Sequence, residues 1–112
     1  MATEKLQLPK FGLGTNKVGG HNLFANLNDE DGQAVVRQAL DAGVTLFDTA
    51  FIYGKGRSET IIGQVLKDYD RSKVLIATKA AQDPTRDFKP NITPSFLTKA
   101  VDDALTRLQT DY

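Results

Sequence analysis

An α/β fold built on a parallel sheet is what the sequence predicts, and three observations predict it. Short apolar segments alternate with longer stretches whose apolar residues recur at helical spacing. The segments Val44-Thr45-Leu46-Phe47 and Val74-Leu75-Ile76-Ala77-Thr78 are short and nearly all apolar, as expected of strands covered on both faces. The interval from Asp48 to Lys79 holds one complete unit of loop, helix, turn and strand, and a right-handed crossover makes its two strands parallel neighbours. Asp48 and Lys79 then stand at the same, C-terminal, ends of those strands. Open sheets and eight-stranded barrels carry their sites there.

Taken in order, Leu6-Gln7-Leu8 and Phe11-Gly12-Leu13-Gly14 flank Pro9-Lys10 and are expected to form a small hairpin leading into, or merging with, a first strand. Residues 14–28 are rich in glycine and asparagine and read as a loop. Asn28 is placed to cap a helix, with Asp29, Glu30 and Asp31 at the positive end of its dipole. Its apolar residues are Val35, Ala39 and Ala42, with Val36 and Leu40 beside them, and Gly43 ends it. After the strand at Val44 and its loop, a second helix is expected near Ser58 or Glu59, with Ile61, Ile62, Val65, Leu66 and Tyr69 on one stripe. Asp70-Arg71-Ser72 turns the chain into the strand at Val74. Residues 79–91 are polar, contain two prolines and read as a loop. Thr93-Pro94 opens a third helix, a capping hydroxyl followed by proline at the first helical position. Leu97, Val101, Ala104 (or Leu105) and Leu108 form its apolar face.

The composition suits one globular domain. Of 112 residues, 40% are hydrophobic, enough for a core, and 25% are charged, enough for solubility. Lysine plus arginine equals aspartate plus glutamate at 14 each, so nothing favours nucleic acid or an anionic membrane as a partner. With no cysteine, disulfide and thiolate chemistry are excluded. Met1-Ala2-Thr3-Glu4-Lys5 lacks the apolar core of a secretory leader. No apolar run approaches the ~18 residues of a membrane span. A soluble, cytoplasmic protein is the expectation.

The chemistry concentrates in Phe47-Asp48-Thr49-Ala50-Phe51-Ile52-Tyr53-Gly54-Lys55-Gly56-Arg57-Ser58-Glu59 and in the strand that ends at Lys79. An acid, a phenol and an amine are delivered to one rim. That set suits carbonyl reduction, in which hydride arrives at carbon and the oxygen must receive a proton. A phenol titrates near pH ~10, and an adjacent ammonium favours its phenolate. The expected roles are Tyr53 as general acid, Lys79 as the ammonium that tunes it, and Asp48 as the carboxylate that keeps Lys79 charged and oriented. Each residue alone has a plainer reading. Aspartate followed by threonine organises turns, a loop tyrosine packs, and a lysine at a strand end is solvated. The three gain weight only from a fold that gathers them. Gly54-Lys55-Gly56-Arg57-Ser58-Glu59 begins like a dinucleotide fingerprint, but Glu59 stands where the third glycine belongs. Its glycines are read as turn residues. No metal site is expected.

The run Gly43-Val44-Thr45-Leu46-Phe47-Asp48-Thr49-Ala50, followed by Tyr53-Gly54, Gly56 and Ser58-Glu59, closely resembles the signature of the aldo-keto reductase family. Ala77-Thr78-Lys79 resembles that family's catalytic-lysine strand, and Gly12-Leu13-Gly14-Thr15 its first strand and following loop. The likeness runs along essentially the whole chain. It implies an eight-stranded (β/α) TIM barrel and reduction of small aldehydes or ketones with NADPH. It implies that Asp48, Tyr53 and Lys79 are three of four catalytic residues. Gly14, Thr15 and Asn16 correspond to the loop that borders the cofactor, together with Asp48. Many members of the family carry an aromatic residue at the position of Asn16. The fourth catalytic residue, a histidine after a fourth strand, has no counterpart in this sequence. Thr110-Asp111-Tyr112 looks like the approach to that strand, and His21 is read as a loop residue.

A barrel needs roughly 250 residues, so residues 1–112 are expected to be the N-terminal, incomplete part of one barrel domain, with about three strand-helix units. Its inner face and last strand would be bare, which predicts self-association or pairing with the missing barrel half. NADPH binding and turnover by the 112 residues alone are expected to be weak or absent. The rival readings are a non-catalytic, truncated form and an accessory or interaction module of the same fold.

Overall fold

The computed structural model describes residues 5–112, so most of the stretch read as leaderless, residues 1–4, lies outside it. Three short parallel strands make the sheet: β1 Leu13–Gly14, β2 Leu46–Asp48 and β3 Leu75–Ala77, in that spatial order. The register sets Gly14 beside Asp48 and Asp48 beside Ala77. Consecutive parallel strands require crossovers, and helices supply them. A short helix α1 (Asn16–Gly19) and α2 (Asp29–Asp41) connect β1 to β2; α3 (Arg57–Leu66) connects β2 to β3; α4 (Pro94–Leu108) follows. The parallel sheet predicted from the alternating pattern is therefore present, as part of the barrel that the family resemblance implies. No helix among the described residues is long and apolar enough to cross a membrane.

The helix ends obey local chemistry. The Asn28 carboxamide accepts the Asp31 amide at 2.8 Å, and Gly43 adopts φ 96°, the left-handed geometry that stops α2. Thr93 accepts the Phe96 amide, with Pro94 at the first helical position. Asp70 accepts from Ser72 across the turn before β3.

One layer of side chains fills the space between sheet and helices. Val36, Phe47, Ile61, Ile62 and Val65 are fully buried there, and Val18, Leu66, Val74 and Leu108 nearly so. Alternation along β2 sends Phe47 into this layer and Leu46 and Asp48 to the other face. That other face is only partly covered: Leu46 and Leu75 are half-buried, Asp48 and Ala77 exposed. The expectation of strands covered on both faces is met on the helix side alone, because three strands cannot curl far enough to fill an interior with one another's side chains.

Several expectations are corrected. Residues 5–12 are irregular, with Leu6, Leu8 and Phe11 exposed; they form no hairpin, since a two-stranded hairpin is marginal in water unless its apolar side chains pack on something. The supposed loop of residues 14–28 contains α1, held by the burial of Val18. In α2 the buried line runs through Gly32 and Val36, while Val35 and Ala42 face outward. In α4 Val101 is exposed, and Ala104 and Leu108 carry the contact. Residues 79–91 fold into an antiparallel ribbon, β4 Gln82–Asp83 against β5 Lys89–Pro90. Asp83 anchors it: its carboxylate accepts from the Thr85 amide and hydroxyl and from Asn91. Thr110-Asp111-Tyr112 is irregular and is held by Arg71, which donates to Thr110 and to the Tyr112 carbonyl.

Candidate active site

The C-terminal rim of the sheet gathers the three residues expected to act together. Lys79 follows the end of β3, Asp48 is the last residue of β2, and the loop after β2 carries Tyr53. The Lys79 ammonium donates to Asp48 Oδ1 at 2.5 Å and to the Thr49 carbonyl at 2.7 Å. The same nitrogen lies 5.5 Å from the centre of the Tyr53 ring, within the range at which a cation acts on an aromatic face. The Lys79 and Asp48 side chains are 56% and 54% exposed. A pair so open adds little to stability; its significance is where it places the ammonium. Lys79 thus lies along an open rim.

Backbone pairing continues past the strands and stiffens this rim. The Thr49 amide donates to the Ala77 carbonyl at 2.7 Å, and the Phe51 amide to the Lys79 carbonyl at 2.9 Å. Asn22 clamps the loop on both sides of Tyr53, donating to the Ile52 carbonyl at 3.0 Å and accepting the Gly54 amide at 2.8 Å. Gly54, Lys55 and Gly56 all have positive φ. At Gly54 a β-carbon would come within 1.9 Å of the Gly19 carbonyl, so the turn reading of these glycines holds. The Thr49 hydroxyl is buried with no hydrogen-bond partner among the described residues.

The residues expected to border a cofactor behave differently from one another. Gly14 and Asn16 are exposed. Thr15 is fully buried, and its amide and its hydroxyl both donate to the Asp48 carbonyl at 3.0 Å. Its side chain is thus committed to holding Asp48. His21 meets Asp29 at 3.3 Å at the start of α2. That contact and the Arg57 guanidinium, the stronger influence, hold the Asp29 carboxyl below its usual range.

Sequence reasoning treated Ser58 and Glu59 as part of a signature and missed what they do. Ser58 is fully buried; its hydroxyl donates to the Thr15 carbonyl at 2.8 Å and accepts the Gly19 amide at 2.9 Å. Glu59 is also buried. It accepts from Arg107 Nε at 2.9 Å and from the Thr78 hydroxyl at 2.8 Å. The available signal was a carboxylate on the face that also carries Ile62 and Leu66, three and seven residues on.

The sequence model of the aldo/keto reductase family matches residues 10–112. The chain is 36% identical over 114 aligned residues to aldo-keto reductase YhdN of Bacillus subtilis, covering 100% of this chain and 34% of that protein. Among solved structures, an aldo-keto reductase of Bacillus halodurans in holo form superposes with a TM-score of 0.82 at 26% identity, over 98% of this chain and 35% of the other. An aldo-keto reductase of Klebsiella pneumoniae in complex with NADPH superposes with a TM-score of 0.69 at 29% identity, over 94% of this chain and 33% of the other. The chain thus spans about a third of the length of the relatives it matches.

Proposed function

This chain belongs to the aldo/keto reductase family, and we propose that a protein containing it reduces small aldehydes or ketones with NADPH. The observation that carries the proposal is the position of one ammonium: Lys79 Nζ touches Asp48 and lies over the Tyr53 ring, at the rim where parallel α/β folds bind substrate.

NADPH, when bound, supplies the hydride. The residues here fit its reacting end. Gly14, Asn16 and Asp48 are exposed at the same rim, and a β-carbon on Gly14 would meet nothing within 4 Å, which leaves that strand end open to a flat ring. Barrels bind phosphate mainly after their seventh and eighth strands, so these three strands hold only part of a cofactor site.

The chain's own residues then manage a proton. Tyr53 Oη donates it to the carbonyl oxygen as negative charge develops there. The Lys79 ammonium stabilises the charge left on the phenol. Asp48 and the Thr49 carbonyl hold that ammonium in place, and Thr15 holds Asp48 through its carbonyl. General-acid catalysis of this kind contributes typically ~10²–10⁴-fold. In a barrel containing this chain, Tyr53→Phe is expected to lower kcat for NADPH-dependent aldehyde reduction by about 100-fold or more. Undiminished turnover would remove Tyr53 as the proton donor. The 112 residues alone are expected to show no turnover. The half-open inner face is covered, on this reading, by the remaining strands of a barrel or by a second copy, and the protein acts in the cytoplasm.

A further inference from the structure

We propose that Glu59 is a positioning residue for Lys79, acting through Thr78 and Arg107. Its importance for catalysis rests on the reading above; the positioning itself does not. The Glu59 side chain is 1% exposed. A buried carboxylate persists only when its oxygens are satisfied, and each oxygen here has one donor: Arg107 Nε on one, the Thr78 hydroxyl on the other. A buried ion pair is a poor source of stability, since apolar residues of similar volume often do as well or better. What this pair supplies is placement.

Thr78 immediately precedes Lys79, so its hydroxyl fixes the chain at the point where the lysine departs from β3. The Arg107 guanidinium, which donates through Nε to Glu59, lies 5.2 Å from the centre of the Phe51 ring. The Phe51 amide in turn donates to the Lys79 carbonyl. One carboxylate on α3 is therefore connected to the chain at Lys79 by two routes, through the side chain of the preceding Thr78 and through Arg107 and Phe51. The side chain then reaches Asp48 and Thr49 without having to search for them.

Thr78 is itself exposed, so replacing it opens no cavity in the core; losing its hydroxyl leaves one oxygen of the buried Glu59 carboxylate without a donor, and the serine variant controls for that cost. The test is the nuclear Overhauser contact between Lys79 Hε and Asp48 Hβ in the isotope-labelled 112-residue chain. Thr78→Val and Thr78→Ala both remove the hydroxyl and are expected to weaken that contact twofold or more. Thr78→Ser restores the hydroxyl and is expected to keep it. An unchanged contact in the valine and alanine variants, or equal loss in the serine variant, would overturn the proposal. Because the contact is read without turnover, this result and the Tyr53→Phe result can fail independently.

Discussion

Replacing Ser58 with alanine removes one oxygen from a site with no access to water, and its cost can be worked from two hydrogen bonds. The Gly19 amide loses its acceptor at 2.9 Å, and the Thr15 carbonyl loses a donor at 2.8 Å. Gly19 is buried, so its N–H bears the full penalty of an unmet donor, ~1–3 kcal/mol. The Thr15 carbonyl still accepts the Val18 amide at 3.1 Å, so its loss falls at the low end of the same range. Ser58→Ala should therefore destabilise the chain by about 2–4 kcal/mol. That is a large part of the ~5–15 kcal/mol typical of a domain, and on the order of 10–20 °C in Tm. Urea unfolding followed by circular dichroism gives the number, with Ser95→Ala on the exposed first turn of α4 as a control expected within ~0.5 kcal/mol. Hydrogen exchange at the Gly19 amide locates the damage. A change below about 0.5 kcal/mol, or a Gly19 amide that stays protected, would refute the reasoning. Thr15 links this damage to the site, because it grips the Asp48 carbonyl with both its amide and its hydroxyl.

Gly54→Ala must accommodate a β-carbon 1.9 Å from the Gly19 carbonyl at φ 75°; calorimetry should show a loss above ~3 kcal/mol, or failure to fold, since strain and displaced backbone add together. Thr49→Val removes a buried hydroxyl without a partner at nearly constant shape, and should leave stability unchanged or raise it by about 1 kcal/mol in urea titrations. The hydrogen bond from Asn91, then those from Thr85, hold the Asp83 carboxyl below its usual 3.8. A depressed carboxylate stabilises the fold above pH 3.8 and loses that contribution as pH falls through its lower folded value. Amide resonances of Phe88 and Asn91 should report opening of the β4–β5 ribbon in that acid window, and Asp83→Asn should abolish this pH dependence. Asp29 and Asp70 are depressed as well, so a local probe separates Asp83 from them where a global melt would not.

The helices and the parallel order were legible because their signals are local. Asn28, Gly43 and Thr93-Pro94 mark helix ends through bonds to backbone a few residues away. What failed depended on distant partners. The hairpin expected before Gly14 had suitable residues, but Leu6, Leu8 and Phe11 find no apolar surface to pack on. Val35 and Val36 are equally apolar, and only the position of the neighbouring elements decides which of the two is buried. The β4–β5 ribbon turns through Asp87 and Phe88 at φ 59° each, so its turn carries no glycine to announce it.

The site divides along the same line. Asp48, Tyr53 and Lys79 were legible because each is a chemically active side chain at the end of, or just after, an apolar strand, and parallel topology forces such ends together. Ser58, Glu59, Thr78 and Arg107 were not, because their partners come from four separate elements or loops. Yet those four, together with Thr15, Asn22 and Phe51, explain the order of the rim. With only three strands, barrel closure cannot hold it. Lys79 is anchored from the helix side through Thr78 and Phe51, Asp48 through Thr15 and Ser58, and Tyr53 through Asn22 on either flank. The arrangement of the three candidate residues is thus a property of the outer helical layer and its loops, and the barrel interior need only leave it undisturbed. On that argument, substitutions among these outer ties should disorder the rim more than substitutions of Leu46 or Leu75 on the open inner face.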